Sequence, residues 1–204
     1  MKRGNETRTL ILDTSLEMAS LIGLESVTIG NLAQKTNLSK SGLFAHFNSK
    51  ENLQIEILKY AAEEFTNFVL VPALGTPAGI TRIRTLIDNW IAWGAKLSGG
   101  CIFVTAGIEY SDRPGKVRDF LIKQQAAWIN SLKRVALSAV KAGDLRSDTD
   151  PEQFAFDLYS LLLGFHFYHK LLNDPYTRQR QNKALDHLLA RYTQNMPQVN
   201  KAKG

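Results

Sequence analysis

The sequence predicts an all-α protein, and three observations lead to that prediction. Apolar residues recur mainly at helical spacing, while the alternation of apolar and polar residues that marks a strand is nearly absent. Six prolines lie close to the points where the helical periodicity changes, so they divide the chain into segments of helical length. With 204 residues, 44% of them hydrophobic, the chain is long enough to form the core of one large domain or two small ones.

Composition excludes several classes of protein. The single cysteine, Cys101, cannot form an internal disulfide, which fits a reducing compartment. No stretch approaches the roughly 18 apolar residues of a membrane span, so we expect a cytoplasmic protein without a membrane partner. The formal charge of +6 favours polyanions, but residues 1–60 carry only 7 basic against 6 acidic side chains. Net charge therefore does not locate a nucleic-acid site, and any such site must be identified from a sequence motif.

The first segment predicts a helix of about four turns that ends at Gly23, a residue suited to a left-handed C-terminal position. Its inward face consists of Ile11, Ser15, Met18, Ala19 and Ile22. Thr28 then offers an N-cap for a short second helix that ends near Thr36.

A turn at Asn37 and Leu38 separates this helix from a third, which Ser39 caps. Ser49 and Glu51 begin a fourth helix in the same way. The inward positions of the second, third and fourth helices are Ile29, Leu32 and Ala33, then Leu43 and Phe47, and finally Leu53, Ile57, Tyr60 and Ala61.

The rest of the chain predicts a helical bundle. The fourth helix extends to about residue 71, ahead of a loop that contains Pro72, Gly75 and Pro77. Further helical patterns cover residues 81–96, 101–110, 114–142, 151–172 and 178–193. The loops between them are short, which favours antiparallel packing of neighbouring helices.

Residues 28–47 form a short helix, a tight turn and a second short helix, which is the arrangement of a helix-turn-helix. In such a unit the second helix enters the major groove of DNA, while N-caps and helix N-termini contact phosphates. The residues placed to contact DNA are Thr28, Ser39, Lys40, Ser41, Gly42, Phe44, His46 and Lys50. The caps, the lysines and the histidine also have ordinary structural explanations, as helix caps, solvated surface lysines or a packed ring.

A known family shares this pattern. The chain resembles the N-terminal domain of the TetR family of bacterial transcriptional repressors through the stretch TRTLILDTSLEMASLIGLESVTIGNLAQKTNLSKSGLFAHFNSKENL. The resemblance implies a helix-turn-helix DNA-binding domain over residues 1–50 and a ligand-binding and dimerisation domain over residues 51–204. It also implies a homodimer that binds an inverted-repeat operator on double-stranded DNA and releases it when a small-molecule effector binds. A second stretch, GGCIFVTAGIEYSDRPGKVRD, is similar to the C-terminal region of one subgroup and names no ligand.

Two positions depart from the family pattern. Gly42 stands where Thr is frequent, and Phe44 stands where Tyr is frequent. Gly42 costs helix stability but lets the backbone approach DNA closely. Phe44 has no hydroxyl for a phosphate, so we expect it to pack on a sugar or on a thymine methyl group.

Aromatic residues are dense in the C-terminal part, where they serve either as core or as the wall of a pocket. The candidates for an effector pocket are Phe68, Trp90, Trp93, Phe103, Gln124, Trp128 and Tyr159. Gln124 is the polar member of an apolar helical stripe, so its amide requires either a neighbouring backbone group or a ligand.

Gly164 lies in mid-helix among large residues, where its evident use is the close approach of another backbone. The family resemblance pairs the last two helices with their copies across a twofold axis. The candidate dimer contacts are therefore Leu161, Gly164, Phe165, Leu185, Leu188 and Leu189. An intrachain contact is the alternative for these residues.

Two other functions stay open from the residues alone. Cys101, preceded by Gly99 and Gly100, would be the accessible reporter of a redox-sensing regulator with the same fold. A small helical enzyme is the other, but the sequence has no phosphate-binding glycine loop and no nucleophile elbow. His166 and His169 lie three residues apart without a carboxylate cluster, so we predict no metal, cofactor or catalytic residue.

Overall fold

The computed structural model describes residues 2–193, with side chains described from Thr7 onward, and the all-α prediction is confirmed for that range. In chain order the elements are α1 (Lys2–Ile22), α2 (Ile29–Thr36), α3 (Lys40–Phe47), α4 (Lys50–Phe65), a π-helical segment (Thr66–Leu70), α5 (Val71–Leu74), α6 (Ile80–Lys96), α7 (Ile102–Glu109), α8 (Lys116–Lys141), α9 (Pro151–Lys170) and α10 (Thr177–Tyr192). No helix of this described part is long and apolar enough to cross a bilayer.

The chain divides into two compact units. The first comprises Met1–Pro72 and Asp88–Trp128, and the second comprises Ala73–Ile87 and Ile129–Gly204. These units are defined by which parts of the chain pack together. The predicted domains, residues 1–50 for DNA binding and residues 51–204 for ligand binding and dimerisation, are defined by function, and that division stays a prediction.

In the first unit α1 packs against α4. The buried side chains of the two helices include Ile11, Leu12, Leu16 and Ala19 from α1 and Leu53, Ile57, Leu58 and Ala61 from α4. Helix α1 is followed by Gly23, whose φ of 84° confirms the predicted left-handed position. Ile22 is 50% exposed instead of inward, because Leu24, just beyond the turn, takes the buried position.

Local side-chain caps set the boundaries of the short helices. The Thr28 hydroxyl accepts from the Asn31 N–H at 3.2 Å, and the Asn31 side chain accepts from the Thr28 N–H at 2.8 Å. The Ser39 hydroxyl accepts from the Gly42 N–H at 3.1 Å, and the Ser49 hydroxyl caps α4 in the same way. The three predicted N-caps are therefore confirmed.

The helical path that begins with α4 continues past Pro72, so the loop begins later than predicted. The chain passes through the π-helical segment Thr66–Leu70 and stays helical to Leu74. The Val71 N–H donates to the Thr66 carbonyl, which widens this turn relative to an α-helix. Pro72 then occupies the first turn of α5, where a missing N–H is tolerated. Asn89 donates to a carbonyl of the π-helical segment at 3.2 Å, so α6 holds the widened turn.

The turn before α7 lies directly on the end of α1. The Gly99 N–H donates to the Ser20 hydroxyl at 3.1 Å, and the Ser98 N–H donates to Glu17 at 3.3 Å. A Cβ atom on Gly99 would lie 1.6 Å from the Ser20 carbonyl oxygen. Glycine is therefore required where these two backbones meet.

In the second unit α9 packs against α10. Asp150 caps α9 by accepting from the N–H groups of Glu152 and Gln153, with Pro151 at the first helical position. The rings of Phe154 and Tyr192 meet edge to face with centroids 5.0 Å apart. These contacts fix the pairing of the last two helices.

Candidate nucleic-acid interface and effector region

The helix-turn-helix is formed by α2, the turn at Asn37 and α3. Leu32 and Ala33 are buried on α2, and Leu43 and Phe47 are buried on α3. Asn37 has a φ of 55°, the left-handed conformation that lets the chain reverse between the two helices. Burying one side of each helix leaves the other side of α3 facing outward.

The outward face of α3 carries the residues predicted to contact DNA. The exposed positions are Lys40, Ser41, Gly42, Phe44, Ala45 and His46, with Ser39 and Thr28 exposed at the preceding caps. Phe44 is 55% exposed, which is unusual for a large aromatic side chain without a partner surface. The predicted DNA contacts of α3 and of the two preceding caps are therefore all exposed.

Gly42 occupies a tight position next to the cap. A Cβ atom there would lie 3.0 Å from the Ser39 hydroxyl oxygen, which is the atom that caps α3. A larger residue at position 42 would therefore press on the N-cap.

Lys50, the predicted phosphate contact at the start of α4, has a protein partner. Its ammonium lies 2.5 Å from a carboxylate oxygen of Glu25, and both side chains are 40% exposed. Sequence reasoning missed Glu25, because the two residues are 25 positions apart and only the fold joins them. Hydrogen bonds from Lys50 and then from Tyr110 lower the pKa of Glu25 to about 2.

Two family models match the chain. A model of bacterial regulatory proteins of the tetR family matches residues 11–57. A model of the tetracyclin repressor-like C-terminal domain matches residues 79–185, which is more than half of the chain. This chain belongs to the TetR family. It is thus a DNA-binding transcriptional regulator with a helix-turn-helix.

Solved structures of TetR-family proteins share the fold. A TetR transcriptional regulator from Chloroflexus aurantiacus has a TM-score of 0.81 and 22% identity over 93% of this chain and 96% of that one. A putative regulator from Saccharomonospora viridis, in complex with choline, has a TM-score of 0.77 and 20% identity over 90% of this chain and 97% of that one. AibR, in complex with isovaleryl coenzyme A and operator DNA, has a TM-score of 0.68 and 20% identity over 91% of this chain and 97% of that one. No curated protein matches the chain.

Most of the residues predicted to line an effector pocket of this TetR-family chain lie in its first unit. Trp90, Trp93, Phe103 and Trp128 are buried there, Phe68 is 37% exposed and Gln124 is half-buried. Tyr159 is half-buried on α9 and belongs to the second unit.

The ring of Phe65, which was not predicted from the sequence, contacts three of these aromatic side chains. Phe65 is buried and meets Trp93, Phe103 and Trp128 edge to face, with centroids 5.9, 5.8 and 5.2 Å away. Its place four residues after Ala61 on the inward stripe of α4 was the available signal. We call Phe65, Trp93, Phe103 and Trp128 the aromatic cluster.

Polar groups at the aromatic cluster differ from those expected. Gln125, the neighbour of Gln124, donates its side-chain amide to the Phe103 carbonyl at 2.8 Å. The indole N–H of Trp93 is buried, and its one neighbour able to accept is the Cys101 sulfur, a weak acceptor; no nitrogen or oxygen of the described residues accepts from it. A buried donor of this kind is available to a ligand that carries an acceptor.

The redox-sensing alternative needs an accessible Cys101 thiol, but the structure buries this side chain. Cys101 is 1% exposed, because the turn that contains Gly99 packs on α1 and the thiol points into the core. Burial raises the pKa of the Cys101 thiol to about 11, so it stays protonated at neutral pH.

The predicted dimer residues take two kinds of position in the second unit. Leu185, Leu188 and Leu189 are buried within the single chain, as is Phe165. Leu161 is half-buried and Gly164 is exposed. In the described part of the chain, no atom beyond the local helix backbone lies within 4 Å of where the Gly164 Cβ would be. The outward surface here is formed by Gly164 and its neighbours and not by the three leucines of α10.

The histidines of α9 do not form a metal cluster. Within the described residues no group of three or more His, Cys, Asp or Glu side chains could hold a metal ion. The His169 ring stacks on Phe165 with centroids 5.4 Å apart. Burial lowers the pKa of His166, and the charges of Lys170 and His169 lower it further.

Proposed function

We propose that this chain is a repressor that binds an inverted-repeat operator as a homodimer and releases it when a small molecule binds its C-terminal domain. The observation that carries the proposal is the outward face of α3. Because Leu43 and Phe47 occupy the inward side, the remaining residues of the helix are free to enter a major groove. One helix of this size makes few base contacts, so selective binding needs a second copy. A DNA partner would place the protein in the cytoplasm.

The homodimer is supported by an unpartnered apolar surface on α9. Phe156, Leu163 and Phe167 are 68%, 39% and 51% exposed. Beside them lies a surface cavity of about 230 Å³, lined by Gly164 and by Gln181 among others. Gln181 is 5% exposed, and its amide nitrogen has no hydrogen-bond partner among the described residues. A second copy seated on α9 would bury these apolar side chains and supply an acceptor for Gln181.

The effector site is proposed at the aromatic cluster. The cluster combines aromatic walls with the buried Trp93 donor, and Phe68 gives it a partly exposed edge, 6.2 Å from the Trp93 ring. Two proteins of similar fold were solved with small ligands, choline in one and isovaleryl coenzyme A in the other. Such ligands differ widely, so we assign this chain an effector with an apolar body and a hydrogen-bond acceptor, and no particular compound.

Selection of bound DNA from a random pool tests the DNA-binding part. The expected product is a pair of inverted half-sites about 34–36 Å apart or a multiple of that spacing. A pool that returns no enriched sequence would contradict the proposal.

Substitutions of two lysines then distinguish a contact with a DNA base from a contact with a DNA phosphate. Lys50→Ala should weaken binding to operator and random DNA almost equally, because a phosphate contact reads no base. The slope of log affinity against log salt should fall by less than the roughly 0.9 per protomer of a full contact, because Glu25 shares the ammonium. Lys40→Ala should cost about 1–3 kcal/mol on the operator and relax one position, because Lys40 begins the exposed face of α3. Equal losses on operator and random DNA would instead make Lys40 a phosphate contact.

A further inference from the structure

The carboxylate of Glu25 lies between the start of α4, where Lys50 is predicted to contact DNA, and the segment around the end of α7. One of its oxygens, Oε1, accepts from the Lys50 ammonium at 2.5 Å. The other, Oε2, accepts from the Tyr110 hydroxyl at 2.6 Å and lies 3.7 Å from the Arg113 guanidinium. The two oxygens thus connect the residue predicted to hold a phosphate with two residues of the α7–α8 segment.

The backbone at this junction is fixed by separate contacts. The Glu109 carboxylate, at the end of α7, accepts from the N–H groups of Leu24 and Glu25 at 2.9 and 3.1 Å. Gln54 donates to the Leu24 carbonyl at 3.1 Å. Gln54 also donates to Glu25 Oε2 at 3.3 Å, but the main chain of the turn is held by these separate bonds. The charge of the Glu25 side chain is therefore available for another role.

The position of that charge matters for DNA. Lys50 is the first residue of α4, next to the helix N-terminus where a phosphate is favoured. A phosphate held by Lys50 would come close to the Glu25 carboxylate, since the ammonium and the carboxylate are in contact. Repulsion between the two anions weakens the phosphate contact, and the ion pair also competes with the phosphate for the ammonium.

Tyr110 and Arg113 act on the same charge from the other side. A hydrogen bond from the hydroxyl and the nearby guanidinium both reduce the negative potential of the carboxylate. The better these two residues engage Glu25, the less the carboxylate retains Lys50 and the less it repels a phosphate.

We propose that Glu25 is a positioning residue that sets the strength of DNA binding through Lys50, and that Tyr110 and Arg113 weaken its hold on Lys50. This inference rests on the proposed DNA contact of Lys50. It makes the α7–α8 segment a determinant of DNA affinity although that segment touches no base.

The main test is Glu25→Gln, measured by DNA binding at several salt concentrations. Gln keeps the shape and an acceptor oxygen but removes the charge, so binding to random-sequence DNA should tighten about fivefold. The slope of log affinity against log salt should steepen by up to about 0.9 per protomer, because Lys50 gains a full phosphate contact. A purely structural loss would weaken binding and leave the slope unchanged.

Glu64→Gln is the matched control. Glu64 lies on the same helix as Lys50 and pairs with Lys96 at 3.3 Å, so its substitution changes the net charge equally without freeing Lys50. The gain from Glu25→Gln should exceed that of the control and should vanish in a Lys50→Ala background. An equal gain in Glu64→Gln, or an undiminished gain without Lys50, would overturn the proposal.

Tyr110→Phe gives an independent measurement. Removing the hydroxyl leaves Glu25 more strongly paired with Lys50, so binding should weaken about twofold to threefold, and this loss should disappear in a Glu25→Gln background. A loss that persists in that background would place Tyr110 in a purely structural role and contradict the inference.

Titration of the Glu25 carboxyl by NMR in DNA-free protein distinguishes a failure of the proposed function from a failure of the proposed role of Glu25. Lys50→Ala should raise the Glu25 pKa from about 2 toward its ordinary value whether or not the protein binds DNA. If that shift is found but wild-type protein binds no DNA, the proposed function fails and the ion pair stands. If wild-type protein binds DNA but Glu25→Gln has no effect, the inference fails and the function stands.

Discussion

At the scale of single residues, the exposed ring of Phe44 is the part of α3 best suited to read an apolar feature of DNA. Ala45 beside it is also exposed, so the two present an apolar surface in the middle of the helix. In the major groove the apolar feature that distinguishes a base pair is the thymine methyl group. Lys40 and His46 flank this surface with charged or polar groups.

We therefore predict that deoxyuridine in place of one operator thymine weakens wild-type binding by about 0.8 kcal/mol, the value of one buried methyl group. Phe44→Ala protein should bind the two DNAs equally, and isothermal titration on both operators measures the difference. Substitutions at thymines outside the selected half-site serve as the control. If every thymine of the half-site tolerates the change, Phe44 contacts the sugar-phosphate backbone instead.

Cys101 is a residue whose burial reverses the expectation from its glycine neighbours. We predict that its thiol is alkylated by iodoacetamide at pH 7 at least about a hundredfold more slowly in native protein than in urea, because burial and a pKa of about 11 both suppress the thiolate. Mass spectrometry of quenched samples measures the two rates. Comparable rates, or a change in operator affinity after peroxide treatment, would restore the redox-sensing alternative.

At the scale of elements, α9 presents the surface on which a second copy is proposed to sit. Gly164 is the sensitive position, because among the described residues no atom outside its own stretch of helix lies within 4 Å of where its Cβ would be. A large side chain there is sterically free in one chain and blocked only if another chain approaches. The position thus distinguishes a dimer contact from an intrachain one.

Gly164→Phe should leave helix content and thermal unfolding of the monomer intact but abolish dimerisation. Light scattering should give twice 22.8 kDa for the wild type and 22.8 kDa for the variant at micromolar concentration. Ser147→Phe, at an exposed site on the loop before α9, is the matched control and should remain dimeric. A variant that keeps the wild-type mass would move the interface elsewhere.

The elements also show which parts of the fold the sequence could predict. The caps at Thr28, Ser39 and Ser49 depend on residues within three positions, so local reading found them. The π-helical segment accepts a hydrogen bond from Asn89 of α6, and no local pattern reports a hydrogen bond over that separation.

In the candidate site, too, some features follow from local sequence and others depend on the folded chain. The outward face of α3 follows from the two inward residues of one short helix. The Lys50–Glu25 pair and the burial of Cys101 require the chain to have folded, because their partners are distant in sequence. The aromatic cluster was found in composition, but its central ring, Phe65, emerged only from the packing.

At the scale of the whole molecule, the proposed regulation requires that the effector favour one arrangement of the two α3 helices of the proposed dimer. We predict that Trp93→Phe and Gln124→Ala keep operator affinity within about twofold but raise the effector concentration for half-release about tenfold. The first removes the donor of the aromatic cluster, and the second removes the amide that the sequence predicts to line the pocket. The effector is first identified by native mass spectrometry of purified protein or by a screen for operator release.

Tyr192→Phe is the control for this measurement. It removes one hydroxyl that donates to Asp157 at 2.9 Å and belongs to the second unit, whereas the aromatic cluster belongs to the first. Its response should match that of the wild type. If Trp93→Phe and Gln124→Ala fold and also respond like the wild type, the effector binds elsewhere.

The backbone contact at Gly99 has a consequence for the genetics of this protein. The atom that a side chain at position 99 would strike is the carbonyl oxygen of Ser20, and every amino acid carries that atom. Alleles that lose glycine at codon 99 should therefore find no intragenic suppressor at codon 20, whatever residue is tried there. Revertants recovered from such alleles should restore glycine itself, whereas codon 164 should tolerate many residues in a screen that scores only folded monomer.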